Sequence, residues 1–115
     1  MTAQGGKRPE SVLIIVSTLT AEVLLLRRRQ PAGLWQSVTG SLEWGEGARS
    51  AAQRELHEET GIVADPETLV DCGRCNRYPI APAWRHRYAR EVSHNTEYVW
   101  RIVLARRCAV SLEPD

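Results

Sequence analysis

A chain of 115 residues with 43% hydrophobic content is long enough to bury one core and too short for two, so one domain over residues 1–115 is expected. Its formal net charge of +1 gives no global field that would draw it to nucleic acid or an anionic membrane, and neither is expected as a partner. The longest purely apolar run, residues 12–16, is far too short for a bilayer span, and residues 1–10 lack the apolar stretch of a signal peptide; a cytoplasmic protein is expected.

In chain order, residues 11–18 (Ser-Val-Leu-Ile-Ile-Val-Ser-Thr) form a continuous β-branched run, which predicts a strand buried on both faces. Residues 22–29 predict a second strand. Alternation there puts Arg27 and Arg29 on one face and Arg28 on the other. Residues 30–33 (Gln-Pro-Ala-Gly) read as a turn, and residues 35–39 as a short extended piece.

The stretch 40–62 organises everything else. From Gly47 onward it is rich in helix formers, with Gly61 where a left-handed cap belongs, so a helix over about 47–60 is predicted. On that helix Glu55, Glu58 and Glu59 stand at i, i+3 and i+4, with their carboxylates on one face. Like charges so placed repel by roughly 0.2–0.5 kcal/mol per pair, and Arg54 alone does not cancel the group. Two readings follow: a solvated acidic face, or a site where carboxylates meet a hard divalent cation together with water and substrate phosphates.

Beyond the helix, residues 64–67 read as a turn, 69–78 as a strand, and 79–82 (Pro-Ile-Ala-Pro) as its end. Residues 85–89 predict another strand, with Arg85 and Arg87 on one face and His86 and Tyr88 on the other. Residues 90–95 are a polar connection. Residues 96–107 are the clearest strand, with Tyr98, Trp100, Ile102 and Leu104 on one face and Glu97, Val99, Arg101 and Val103 on the other. Cys72 and Cys75 form one C-x-x-C with no second pair. Strand alternation would point them apart, so free thiols in a reducing compartment are expected in place of zinc or a disulfide.

The organising stretch reads Gly40-x5-Glu46-x7-Arg54-Glu55-Leu56-x-Glu58-Glu59-x-Gly61-Ile62 and matches the signature box of the Nudix hydrolases throughout. Its seven fixed positions would match by chance on the order of 10⁻⁸ per window. The resemblance implies an α/β/α sandwich with a mixed β-sheet, and a loop–helix–loop that holds Mg²⁺ or Mn²⁺ while a diphosphate joined to another group is cleaved. The entry Trp35-Gln36-Ser37-Val38-Thr39-Gly40-Ser41, with Lys7-Arg8-Pro9, residues 85–89 and Asn95-Thr96-Glu97, resembles the branch of that family that acts on dihydroneopterin triphosphate. The branch removes pyrophosphate from a small-molecule triphosphate and leaves the monophosphate. Cleansing of oxidised nucleoside triphosphates is the alternative activity.

Carried over residue by residue, the resemblance implies that Glu55, Glu58 and Glu59 ligate the metal, helped by the backbone carbonyl of Thr39. Arg54 would hold Glu55 in place, and Glu46 would be a supporting acid or outer ligand. Arg27, Arg29, Arg85 and Arg87 are candidates to hold the phosphate tail, with ordinary surface charge as the other reading. Trp35 is a candidate stacking surface for the ring, with packing as the other reading. Glu97 carries no assigned role.

The family pattern continues past Asp115 with another acid, a strand and a C-terminal helix. On that ground the sandwich is expected to lack its C-terminal helix and to expose an apolar patch that a second chain could cover. That end favours a non-catalytic nucleotide-binding module, and a longer natural chain would remove the expectation. The complete set of box acids favours the enzyme, since a binder has no need to set so many negative charges before an anionic ligand.

Overall fold

The computed structural model describes residues 5–29 and 32–112. Its centre is a mixed four-stranded sheet in the order β4-β1-β6-β5. The β-branched run forms β1 (Glu10–Thr18), which pairs in parallel with β6 (His94–Leu104) from Glu10↔Thr96 to Thr18↔Leu104. On its other side β1 pairs antiparallel with β4 (Val38–Ser41), and β5 (Val70–Pro79) closes the far edge against β6. A separate two-stranded ribbon joins β2 (Leu26–Arg27) to β3 (Trp35–Gln36).

The helix α1 runs from Ala48 to Thr60 and lies across one face of the sheet. Ala51, Ala52 and Leu56 are fully buried there against Val12, Ile14, Val16, Val38, Trp100 and Ile102. Small alanines at the contact let helix and sheet approach closely, and Leu56 fills the centre. Register puts Val12 beside Tyr98, Ile14 beside Trp100 and Val16 beside Ile102, so one period-2 face of each central strand faces α1.

Three expectations are corrected. The strand β1 is not buried on both faces: Leu13 is half-buried and Ile15 is 36% exposed. Among the described residues α1 is the α-helix present, and it covers one side. Residues 22–27 keep the burial alternation of a strand, but the pairing of 22–29 is split between one bridge, Val23 to Ser17, and the two-residue β2. Residues 85–89 are not a strand. Pro82 opens a 3₁₀ helix, Pro82–Arg87, with Trp84 N–H donating to Ala81 O and Tyr88 N–H to Arg85 O. Proline's preset φ suits that first turn.

In β5 the pairing slips between Asp71 and Arg74, where Gly73 takes φ 66°. Simple alternation therefore does not carry from Cys72 to Cys75; both are exposed free thiols, as is Cys108. Residues 64–67 turn through a short 3₁₀ helix, Pro66–Thr68. The last strand stops at Leu104, and Arg107 pairs with Glu22 at 2.6 Å beyond it. In the expected turn at 30–33, Gln30 and Pro31 lie outside the described residues, as do Met1–Gln4 and 113–115.

Candidate active site

Between β4 and α1 the chain makes a short loop over residues 42–47. Leu42 N–H donates to Glu10 O at 2.9 Å, which anchors its start on β1. Glu43 N–H then donates to Glu46 Oε1 at 2.9 Å, and Glu46 N–H to Glu43 O at 3.0 Å. Gly45 sits at φ 84°, a conformation that L side chains resist. Gly61 at φ 79° ends the helix, its N–H returning to His57 O at 2.8 Å.

The three acids divide by burial. The Glu55 side chain is 14% exposed and that of Glu58 44%, while Glu59 is half-buried. A freely solvated acidic face would leave all three in water, so that reading holds only for the rim position. Glu55 is pressed onto Gly40 in β4: a Cβ there would lie 2.0 Å from Glu55 Cδ. Glycine at this position is required by the close approach of the carboxylate.

Arg54 sits among the acids. It grips Glu46 with two parallel bonds, Nε to Oε2 and Nη2 to Oε1, both 2.8 Å. Its Nη1 donates to Glu55 Oε2 and Glu58 Oε1 at 3.0 Å each, and Nη2 also to Ser41 O at 3.1 Å. Arg54 thus touches Glu55 by a single bond, while its bidentate partner is Glu46. One cation thus spans three carboxylates.

The hydrogen bonds from Arg54 hold the Glu46 carboxyl below its ordinary value of 4.5, against the opposing pull of burial. The same partners push the Arg54 pKa up, led by Glu46. A carboxylate with a depressed folded pKa contributes stability that is present above its unfolded value and lost as pH falls through the folded one. Unfolding free energy measured in denaturant should therefore drop below about pH 4.5, and Glu46→Gln should flatten part of that drop.

The carbonyl of Thr39 has a defined direction. Leu42 pairs with Glu10 through a backbone bond, so Val12/Gly40 and Ile14/Val38 are the bonded rungs and Leu13/Thr39 lies between them. Thr39 therefore turns its N–H and C=O away from β1, towards the sheet edge. Its hydroxyl donates to Val12 O at 2.9 Å.

An open cleft of ≈ 620 Å³ adjoins the acids, lined by Gly6, Lys7, Arg8, Ser41, Leu42, Glu43, Trp44, Arg54 and Glu55. Of the basic candidates, none of Arg27, Arg29, Arg85 and Arg87 lines it. Arg27, in the ribbon, and Arg29, just beyond it, are exposed. Arg85 and Arg87 lose their shared strand face to the 3₁₀ turn: Arg87 stacks over Trp84 at 4.2 Å, and Arg85 Nη2 donates to Val92 O at 3.4 Å. Trp35 is 56% exposed on β3 and outside the cleft.

Residues without a role in the sequence reading occupy those places. Lys7 N–H donates to Arg87 O at 2.7 Å, and its ammonium lies 5.8 Å over the Tyr88 ring. Burial, then the nearby Arg87 charge, lowers the Lys7 pKa, while Glu55 opposes. Lys7 therefore stands beside Arg87 and within electrostatic reach of Glu55. Trp44 Nε1–H donates to Gly6 O at 2.8 Å. Lys7-Arg8-Pro9 was visible only as part of a resemblance, because nothing local in that segment says which loop it meets.

The donor set suits a hard divalent ion: carboxylate oxygens from one helical turn beside an edge-facing carbonyl. Among the described residues no three His, Cys, Asp or Glu groups converge as a closed cation site. The carboxylates of Glu55 and Glu58 turn to Arg54 instead. The fit is thus one of donor chemistry and placement.

A family model described as the NUDIX domain matches residues 7–113. The chain belongs to the Nudix family. The Nudix loop and helix are the 42–60 segment built above, and the mixed sheet with its one packed helix is the Nudix fold. The chain is 49% identical over 94 residues to the dihydroneopterin triphosphate diphosphatase of Escherichia coli (strain K12), covering 79% of this chain and 63% of that protein. It is 37% identical over 95 residues to the protein of the same name from Haemophilus influenzae, covering 80% and 60%. It thus spans less than two thirds of the length of these curated relatives. The solved structure of the E. coli dihydroneopterin triphosphate pyrophosphohydrolase superposes with a TM-score of 0.83 at 40% identity, covering 95% of this chain and 77% of that one. Nudix hydrolases generally need a divalent metal. No helix among the described residues is long and apolar enough to cross a membrane.

Proposed function

We propose that this chain, as one Nudix domain over residues 1–115, is a metal-dependent pyrophosphohydrolase that cleaves dihydroneopterin triphosphate to the monophosphate and pyrophosphate. The observation that carries it is the 49% identity to a protein of that activity, running through the whole box. Glu55, Glu58 and Glu59 would hold Mg²⁺, or Mn²⁺, with the Thr39 carbonyl alongside. The bound ion would neutralise phosphate charge and lower the pKa of a water. Arg54 and Glu46 orient the acids, with Glu46 an outer supporting group in place of a direct ligand. Lys7 would supply positive charge at the cleft, where phosphates of the substrate would enter. Arg27, Arg29, Arg85, Arg87 and Trp35, which do not line that cleft, would meet the substrate only from its margin. Three exposed thiols, Cys72, Cys75 and Cys108, support a reducing, cytosolic setting.

A pyrophosphate-release assay with Mg²⁺, offering the pterin triphosphate beside common and oxidised nucleoside triphosphates, tests this. Preference for the pterin substrate is the expected result; preference for an oxidised nucleotide would overturn the substrate assignment. Gly40→Ala tests the site itself. The new Cβ would displace the Glu55 carboxylate while α1 and β4 keep their packing. Turnover should fall about tenfold, with a melting temperature near that of the wild type in a thermal scan.

A further inference from the structure

Arg8 precedes β1, far in sequence from the Nudix loop, yet it binds that loop directly. Its Nη1 donates to Glu43 O at 2.9 Å and to Glu46 O at 2.8 Å, the two carbonyls that bracket Gly45. Its Nε donates to Glu10 Oε1 at 2.5 Å. The other oxygen of Glu10 accepts from Tyr98 OH at 2.5 Å, across the β1–β6 pairing. A continuous chain of contacts therefore runs from Tyr98 in β6 through Glu10 and Arg8 to the loop. From Glu46 it passes through Arg54 to Glu55 and Glu58.

We propose that Arg8, braced by Glu10 and Tyr98, is a positioning residue for the Nudix reaction, acting through loop 43–46 on the Glu46–Arg54 pair and so on the metal-binding acids. The proposal rests on the functional reading above. The loop carries a glycine at φ 84° and is closed internally by the Glu43–Glu46 bonds; those fix its shape but not its place relative to the sheet. Arg8 supplies that tie, because one planar guanidinium meets two loop carbonyls and a sheet-borne carboxylate at once. Lysine offers donors for the carbonyls but lacks the Nε arm towards Glu10, so it should restore part of the effect.

The test measures kcat and KM for pyrophosphate release from the pterin triphosphate with Mg²⁺, and Mn²⁺ affinity by calorimetry. It uses the wild type, Arg8→Met, Arg8→Lys and Tyr98→Phe, with Arg8→Met repeated in a Glu46→Gln background. Arg8→Met should lower kcat by about 10–100-fold and weaken Mn²⁺ binding, with KM changed by less than about twofold. Arg8→Lys should recover part of both, and Tyr98→Phe should act in the same direction by about threefold. Once Glu46 is changed, Arg8→Met should add less than about twofold, since both act along one path. An equal loss in both backgrounds, or a raised KM with kcat intact, would overturn the proposal. Should the wild type not cleave the pterin triphosphate, the functional reading fails, and the Mn²⁺ titration still decides: weaker binding in Arg8→Met supports positioning, unchanged binding refutes it. If Arg8→Met does not fold, Tyr98→Phe in the two backgrounds makes the same comparison.

Discussion

Glu58→Gln is expected to reduce turnover by about 10²-fold while leaving the fold intact. Glutamine keeps the length and shape of the side chain and removes its charge, so a divalent ion loses an anionic ligand without a cavity being made. The structural cost is small. Glu58 is 44% exposed and pairs with Arg54 at 3.0 Å, an arrangement worth about 0–1 kcal/mol at the surface. Steady-state kinetics at saturating Mg²⁺, read beside a thermal melt, separates the two effects. Normal turnover in this variant would leave the metal-binding role of the helix without support.

Arg54→Met should damage both activity and stability, and for one reason. The guanidinium makes five hydrogen bonds, to Glu46, Glu55, Glu58 and Ser41 O. Without it the part-buried Glu46 and Glu55 face each other and Glu58 with no cation between them. Loss of these bonds should cost about 1–3 kcal/mol of folding free energy, and misplaced acids should lower kcat by about 10–100-fold. Arg54→Lys restores a positive charge but not the planar fork, so the bidentate grip on Glu46 stays broken and kcat stays low. Chemical denaturation and kcat measured on the same preparations check both parts. A fully active Arg54→Met would show that the acids hold their geometry unaided.

The two variants probe different links. Glu58 belongs to the donor set, and Arg54 to the frame that aims it. The frame also relieves repulsion, since the Arg54 cation bonds all three of Glu46, Glu55 and Glu58. A divalent ion entering the site would compete with Arg54 for Glu55 and Glu58, whereas the bond pair to Glu46 leaves the arginine an anchor outside that competition.

The helix, its cap and the acids on it could be read from the sequence because each depends on neighbours within one or two turns. A run of helix formers ending at Gly61, and glutamates at i, i+3 and i+4, specify a face whatever the rest of the chain does. The long strands β1, β5 and β6 were legible for the same reason, through β-branched runs and alternation. Segments whose form depends on distant partners were misjudged. Residues 85–89 alternate like a strand, yet Pro82 and the packing of Gly6 and Lys7 against Arg87–Ala89 wind them into a 3₁₀ turn.

What the sequence settled by itself was the chemistry on offer: the family, the acids, and the helix that presents them. Which cations serve those acids was decided by the fold. Lys7 and Arg8 reach the site because β1 lies beside β4, and Arg85 leaves it because its segment curls. Local spacing determines which side chains share a helical face, but an ion pair across a long loop exists only once strand order and register have brought its ends together.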